Sequence, residues 1–553
     1  MSRPAPFAEG LPRHPRLRAL AEEAIAAAFA RYPFWATDLG LHEWDDQMPE
    51  PDSAAEDALA RRLRQVAREL EAMASVPLDA EERADWTTLR HAVGALVAEL
   101  DEDRPAARDP NWYNGIISQS ALGLARRRFG SPRDRAAALV ARLQAVPALL
   151  DRAARRIQNP PAVWVAIARP QYAATIPFLR EGLAQAFSDH PNEAQAVAEA
   201  GAEAARAYER FLTVLEGWAN GPGEDFRLGP ERFRQRLWWQ EAVNTPLAEL
   251  EQAGREELRR LQSEWQQVAA RIAPGQNPRA VMAAIGRLHP PADRLLAETR
   301  AVLGELRQFC IAHELVTIPD APDPAVVETP GFLRAITFAS IDPPGPFELE
   351  ATEAYYQVTL PDPLWPVEQQ EDHLEGYNPW GIRIISAHEV YPGHYVQYLH
   401  LPRATSTVRK VFASGAFVEG WAHYCEELLW EAGFRTEDPD RLRLVQVMEA
   451  LERVGRYLVA LGMHCHGMDV EEATAFFQRE CFMAPVNARR EALRGTVDPL
   501  YLIYTLGKLT ILRLRERARA AWGAQFSLRR FHDELLGHGF PLLPVVEALM
   551  LGS

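Results

Sequence analysis

Residues 386–398, Ser-Ala-His-Glu-Val-Tyr-Pro-Gly-His-Tyr-Val-Gln-Tyr, carry two histidines and a glutamate that together can hold a zinc ion and activate water on it. That is the chemistry of a hydrolase. In the common motif of this kind, His-Glu-x-x-His, the histidines lie about one helical turn apart and share one metal, with the Glu as general base. Here His388 and His394 are six positions apart. On a regular helix they would point roughly 120° apart with about 9 Å of rise between them, too far to share a zinc. Pro392 cannot donate an amide hydrogen to the His388 carbonyl and disfavours helix at Tyr391, and Gly393 tolerates unusual torsions. A helical bulge over Tyr391-Pro392-Gly393 that absorbs two residues is therefore expected, returning His394 to the face of His388. The pairs His42-Glu43 and His313-Glu314 have no second histidine within a turn or two and carry no such implication.

A catalytic zinc takes three protein ligands and leaves the fourth place to water, so a third ligand belongs on a neighbouring helix. The stretch Phe417-Val-Glu-Gly-Trp-Ala-His-Tyr-Cys-Glu-Glu-Leu-Leu-Trp430 is rich in helix formers after Gly420, and Glu419 lies 25 residues beyond His394. Two helices joined by a turn at Pro402–Thr407 can lie antiparallel and bring Glu419 against the histidine pair.

With His-Glu-x-x-Pro-Gly-His, Gln397 three residues on, and Glu-Gly-Trp-Ala-x-Tyr-x-Glu at 419–426, the chain resembles the bacterial family of domain of unknown function 885. Gly462–Ala473, Glu491-x-x-Arg494, Pro499, Tyr504, Gly507 and Lys508 are similar to later blocks of that family, and Gly40–Asp45 and Thr245-Pro246 match it more weakly. The resemblance implies an α-rich fold, a place among gluzincin-type metallopeptidases, His388, His394 and Glu419 on zinc, and Glu389 as general base. It implies no substrate.

Related peptidases support the developing oxyanion with a Tyr or His from a later helix, and Tyr504 is the candidate here, with Tyr501 as fallback. Tyr504, Lys508, Ile511 and Arg515 share one helical face. His423 shares the face of Glu419 and is either a rival ligand or a cleft-lining neighbour, and Glu426, a turn further, is placed to orient a ligand histidine. Lys410 and Lys508 are the only lysines against 58 arginines, so a lysine inside an apolar helix suggests a need for its compact charge, unless it snorkels to the surface. Arg494 and Arg515 either bind a substrate carboxylate or pair with acidic neighbours such as Glu491 and Glu516. Tyr391 flanks the ligands and lines the cleft or packs, and His464 is a capping or cleft histidine.

The elements that must position these groups are mostly helices. Segments at about 15–32, 53–74, 82–101, 132–157, 192–218, 246–272 and 292–313 have amphipathic spacing, as in Leu258, Leu261, Trp265, Val268 and Ile272. Breaks rich in Pro and Gly fall at 158–161, 220–223, 274–278 and 318–331, and strand-like stretches at 332–341 and 354–360 precede the zinc segment. The expected fold is mainly α: a large two-lobed helical metallopeptidase-like body with a small β element before the zinc-binding helix. Residues 1–320 would form an N-terminal helical lobe and 321–553 a lobe with the catalytic helices, substrate lying in a cleft between them.

The formal charge of −16 offers no basic patch for nucleic acid or anionic membrane. No run of 18 apolar residues occurs, and the first ten residues lack a signal-peptide core, which together point to the cytoplasm. Four cysteines without a Cys-x-x-Cys pair read as free thiols. The expected function is hydrolysis of peptide bonds with one Zn2+ per chain. Hydrolysis of small non-peptide amides, or non-catalytic binding of metal or peptide, is the alternative. Glu389 speaks against the non-catalytic reading, since metal binding alone does not need that carboxylate.

Overall fold

Alanine- and leucine-rich stretches with a 3.6-residue apolar period become helices where that period places them. In the computed structural model, which describes residues 5–219, 221, 223–330, 334, 337–435 and 437–552, helices run over Pro15–Arg31, Ser53–Glu71, Ala80–Ala98, Pro132–Arg156, Pro191–Trp218, Leu247–Ile272 and Ala292–Ala312. Short polar side chains fix several starts: Asp52, Asp79 and Ser131 accept the amides of Ala55, Glu82 and Asp134 at 2.8, 2.9 and 3.0 Å. On the Leu247–Ile272 helix, Leu258, Leu261, Trp265 and Val268 are buried as their spacing requires. The chain is mainly α-helical with one small sheet. Among the described residues no helix is long and apolar enough to cross a membrane.

The sheet has three strands, β1 (Ala325–Glu328), β2 (Ala339–Asp342) and β3 (Tyr355–Val358), in the order β1-β3-β2. β3 pairs parallel with β1 and antiparallel with β2. β3 falls inside the expected 354–360 strand. Of the expected 332–341 strand, residues 332, 333, 335 and 336 lie outside the described residues, and the rest contributes Ala339–Ile341 to β2. Residues 220, 222 and 331 of the expected breaks, and 1–4 of the N-terminal segment, also lie outside the described residues. β1 corrects the sequence reading, because it lies within the 318–331 break. The prolines at 319, 322, 324 and 330 dominate that window, and within β1 itself only Val326 and Val327 carry strand propensity.

Two compact units form. One comprises Met1–Phe226, Pro344–Thr352 and Thr405–Phe412; the other comprises Arg227–Pro343, Glu353–Ala404 and Ala413–Ser553. In the first, the helices Pro15–Arg31, Ser53–Glu71 and Ala80–Ala98 bury Leu17, Leu20, Phe29, Leu63, Leu70 and Leu89 together. Every residue of the candidate site lies in the second.

Candidate metal centre

The helix that carries His388 starts at Pro379, capped by Asn378, whose Oδ1 accepts the Gly381 amide at 2.9 Å. It ends at Glu389, and a second helix begins at His394 and runs to His400. The expected bulge is thus a complete break, with a cis Tyr391–Pro392 bond inside it. Two features close the break. Gly393 lies on the last turn of the first helix, where a Cβ would come within 1.9 Å of the His388 carbonyl oxygen and 2.3 Å of that of Ala387. Trp421, fully buried, donates its indole N–H to the carbonyls of Pro392 and Gly393 at 3.0 and 3.2 Å. The break achieves what the bulge was expected to do: the rings of His388 and His394 meet edge to face with centroids 4.8 Å apart.

Glu419 comes from the helix Gly415–Glu431, whose start is capped by Ser414 through the Phe417 amide at 3.1 Å. One turn on, Gly420 packs on Gly507 of the helix Ile503–Trp522, so closely that a Cβ on Gly420 would sit 2.5 Å from the Gly507 Cα. Glu419 Oε2 then lies 3.6 Å from His388 Nε2 and 3.5 Å from His394 Nε2. One donor atom from each of the three residues lies within 4.8 Å of the others.

The outer ring nitrogens are also held. His388 Nδ1 is 2.8 Å from Glu426 Oε1, and His394 Nδ1 is 3.0 Å from Gln397 Oε1. Each imidazole, when neutral, can donate from Nδ1 and present the lone pair of Nε2 to the space it shares with the Glu419 carboxylate, as a metal ligand would. Two imidazoles so fixed and one carboxylate form a donor set that fits zinc. Burial lowers the pKa of His388, but the carboxylates of Glu419 and Glu426 outweigh it and carry the ring to about 9. Glu419 is raised by burial and drawn well below the usual carboxylate range by the two histidines. Glu426, fully buried, is likewise raised by burial and drawn far down by Arg453, His423 and His388.

Glu389, the last residue of the His388 helix, is half-buried, and its Oε2 accepts the Ile341 amide of β2 at 2.9 Å. His423 is not part of the convergent group. Its Nδ1 is 3.2 Å from Glu426 Oε2, and burial, with Lys508 nearby, takes its pKa down to about 4. Tyr504 is half-buried, and Arg494 Nη2 lies 3.4 Å from its hydroxyl. Burial and the Glu419 charge raise its pKa, so the hydroxyl keeps its proton. Tyr501 is fully buried against Gly495 and Met463. Arg494 pairs with Asp498 at 3.0 Å rather than with Glu491, which Arg456 holds at 2.6 Å. Arg515 pairs with Glu431 at 2.7 Å and only approaches Glu516 at 3.8 Å.

Three further residues have their polar atoms engaged elsewhere. Lys508 is fully buried, 2.5 Å from Glu427 and 3.6 Å from Glu257, so it does not snorkel to the surface. The Tyr391 hydroxyl donates to Asp323 at 2.5 Å, and its ring meets Tyr395 edge-on. His464 Nε2 is 2.8 Å from the Gly495 carbonyl oxygen. The sequence reading misses Arg453 altogether and the role of Trp421, which stands in the 419–426 motif but acts on the carbonyls of Pro392 and Gly393, distant in sequence. Gln397 stands within the 386–398 segment, and its position three residues after His394 is the signal that assigns it.

A family profile described as "Bacterial protein of unknown function (DUF885)" matches residues 33–550. Among curated proteins none matches the chain. Two solved structures share the fold. One is described as "a putative lipoprotein of unknown function from Shewanella oneidensis", at 23% identity and a TM-score of 0.78, covering 96% of this chain and 99% of its own. The other is described as "the putative lipoprotein from Colwellia psychrerythraea", at 18% identity and a TM-score of 0.81, covering 96% and 98%.

Proposed function

The chain belongs to the bacterial family of unknown function 885, and from that premise we propose that it is a zinc-dependent hydrolase of peptide bonds, distantly related to the gluzincin metallopeptidases. The observation that carries this reading is the convergence of His388, His394 and Glu419, with Glu426 and Gln397 fixing the outer nitrogens of the two histidines. Zinc held there would polarise the scissile carbonyl and acidify an attacking water. Glu389, adjacent in sequence to His388 and fixed through one oxygen by the Ile341 amide, would take the proton of that water and deliver it to the leaving amine nitrogen. Tyr504, kept protonated beside Glu419, would donate its hydroxyl hydrogen to the carbonyl oxygen as that atom gains charge.

The test combines metal analysis of the purified protein with Glu389→Gln assayed on a mixed peptide library. Expected are about one zinc per chain in both proteins and a fall in turnover of about 10²–10⁴-fold in the variant. Absence of zinc from the wild type, or equal cleavage by the variant, would sink the reading. Tyr504→Phe should lower turnover and leave substrate affinity nearly unchanged if the hydroxyl acts only on the developing oxyanion.

A further inference from the structure

Glu241 ends the helix Pro230–Glu241 and is only 5% exposed. A buried carboxylate normally sits against a cation, yet among the described residues its partners are the Ser414 hydroxyl and the amides of Gly415 and Ala416, the last at 3.2 Å from Oε2. These three groups form the start of the Glu419 helix. Ser414 already takes the Phe417 amide, so Ser414 and Glu241 together satisfy the first three amides that a helix leaves free. Gly415 leaves room for this approach. A Cβ there would lie 3.2 Å from Glu241 Oε1 and 2.7 Å from Ile503 Cδ1. Burial pushes the Glu241 carboxyl up to about 7, against the opposing pull of the hydroxyl and the amides.

The contact of Gly420 with Gly507 and the bonds of Trp421 to the Pro392 and Gly393 carbonyls hold the Glu419 helix beyond its first turn, and the Ser414–Glu241 cap holds its start. Glu419 is one turn beyond Gly415, so a slide of the first turn moves its carboxylate by the same distance. Oxygen and nitrogen donors around one metal must be held within about 0.5 Å of their productive places. We propose that Glu241 is a positioning residue for the metal centre, its carboxylate clamping the first turn of the Glu419 helix and so setting Glu419 Oε2 between His388 and His394. This rests on the reading of His388, His394 and Glu419 as zinc ligands. A helix cap with no such role would affect stability alone.

The test uses the full chain with Zn2+ or Co2+ as probe, measuring zinc affinity against a competing chelator and the visible absorption of the cobalt form. Glu241→Gln should raise the zinc Kd about tenfold and shift the cobalt bands, and Ser414→Ala should do the same to a smaller extent. Circular dichroism and a cooperative unfolding transition identify the folded variants, and Ser414→Ala decides alone if Glu241→Gln does not fold. Folded variants with wild-type affinity and an unshifted spectrum overturn this inference and leave the proposed function standing. A wild type that takes up neither metal overturns both.

Discussion

Two histidines in this chain sit between a pair of carboxylates, one in each compact unit. His42 has Asp45 Oδ2 at 3.0 Å from Nδ1 and Glu348 Oε2 at 3.1 Å from Nε2; His388 has Glu426 at 2.8 Å from Nδ1 and Glu419 at 3.6 Å from Nε2. In both, burial lowers the pKa and the carboxylates raise it to about 9. The surroundings separate them. Around His42 the acceptors are closed: Asp45 also takes the Thr37 hydroxyl at 2.6 Å, Glu348 Oε1 takes the amides of Glu350 and Ala351, and the ring stacks 3.6 Å from Phe129. Around His388 a second imidazole faces the same Glu419 oxygen, both at distances too long for a hydrogen bond. A histidine between two carboxylates makes a structural ion pair in one place and part of a convergent donor set in the other, and the difference is a second histidine and about half an ångström.

The hardest test of that contrast is deletion of the imidazoles. His388→Ala or His394→Ala should lower zinc affinity by about 10³-fold or more and leave the dialysed protein nearly metal-free, while His42→Ala keeps wild-type zinc content. Zinc retained by His388→Ala and lost by His42→Ala would reverse the assignment. The next effect belongs to His42 alone. Its pKa is raised on folding, so its stabilisation is fully present below about 6.5 and is lost as pH rises through about 9. Glu348, raised by burial but drawn down to about 2 by His42 and two amides, adds stability above about 4.5 that is lost as pH falls through about 2. The pair is therefore strongest between about pH 4.5 and 6.5. From the interval between 6.5 and about 9, metal-free wild type should exceed His42→Gln by about 3 kcal/mol at pH 6, with the gap closing by pH 10 in denaturant unfolding. A gap that stays constant with pH would show that the ring contributes by packing on Phe129 rather than by charge.

Much of this could be read from the residues. The long helices follow their apolar period to within a few positions, since burying one stripe is what chiefly stabilises an amphipathic helix. The spacing of His388 and His394, with Pro392 and Gly393 between, required a departure from regular helix. What the local sequence could not settle was whether the helix bulges or breaks. That depends on which group donates to the carbonyls left in the break, and the donor, Trp421, is 29 residues from Pro392. Arg453 is hidden for the same reason, meeting Glu426 across two helices at 3.1 Å. Lys508 read equally well as a surface or an interior charge, because its burial is decided by Glu427 and Glu257 on other helices. β1 was lost among prolines.

The smallest expected effect lies inside the metal centre, between its two arms. His388 is backed by an ionised, fully buried Glu426 that also holds Arg453 and His423, and His394 by the neutral amide of Gln397. A carboxylate on Nδ1 raises the basicity of Nε2 more than an amide oxygen does, because the partial positive charge that a ligand imidazole acquires is stabilised by full rather than partial charge. Glu426→Gln should therefore weaken zinc binding towards the upper end of about 10–100-fold, and Gln397→Met by about tenfold or less, both measured by chelator competition. Glu426→Gln should also lower the unfolding free energy, since Arg453 would lose the fully buried one of its carboxylate partners and keep the more exposed Glu449 at 2.8 Å, whereas Gln397→Met removes a neutral acceptor and changes stability less. Equal losses of affinity would mean that the outer partners serve only to orient the rings. A larger loss for Gln397→Met would mean that His394, held across the break, is the more weakly fixed ligand and depends more on its support.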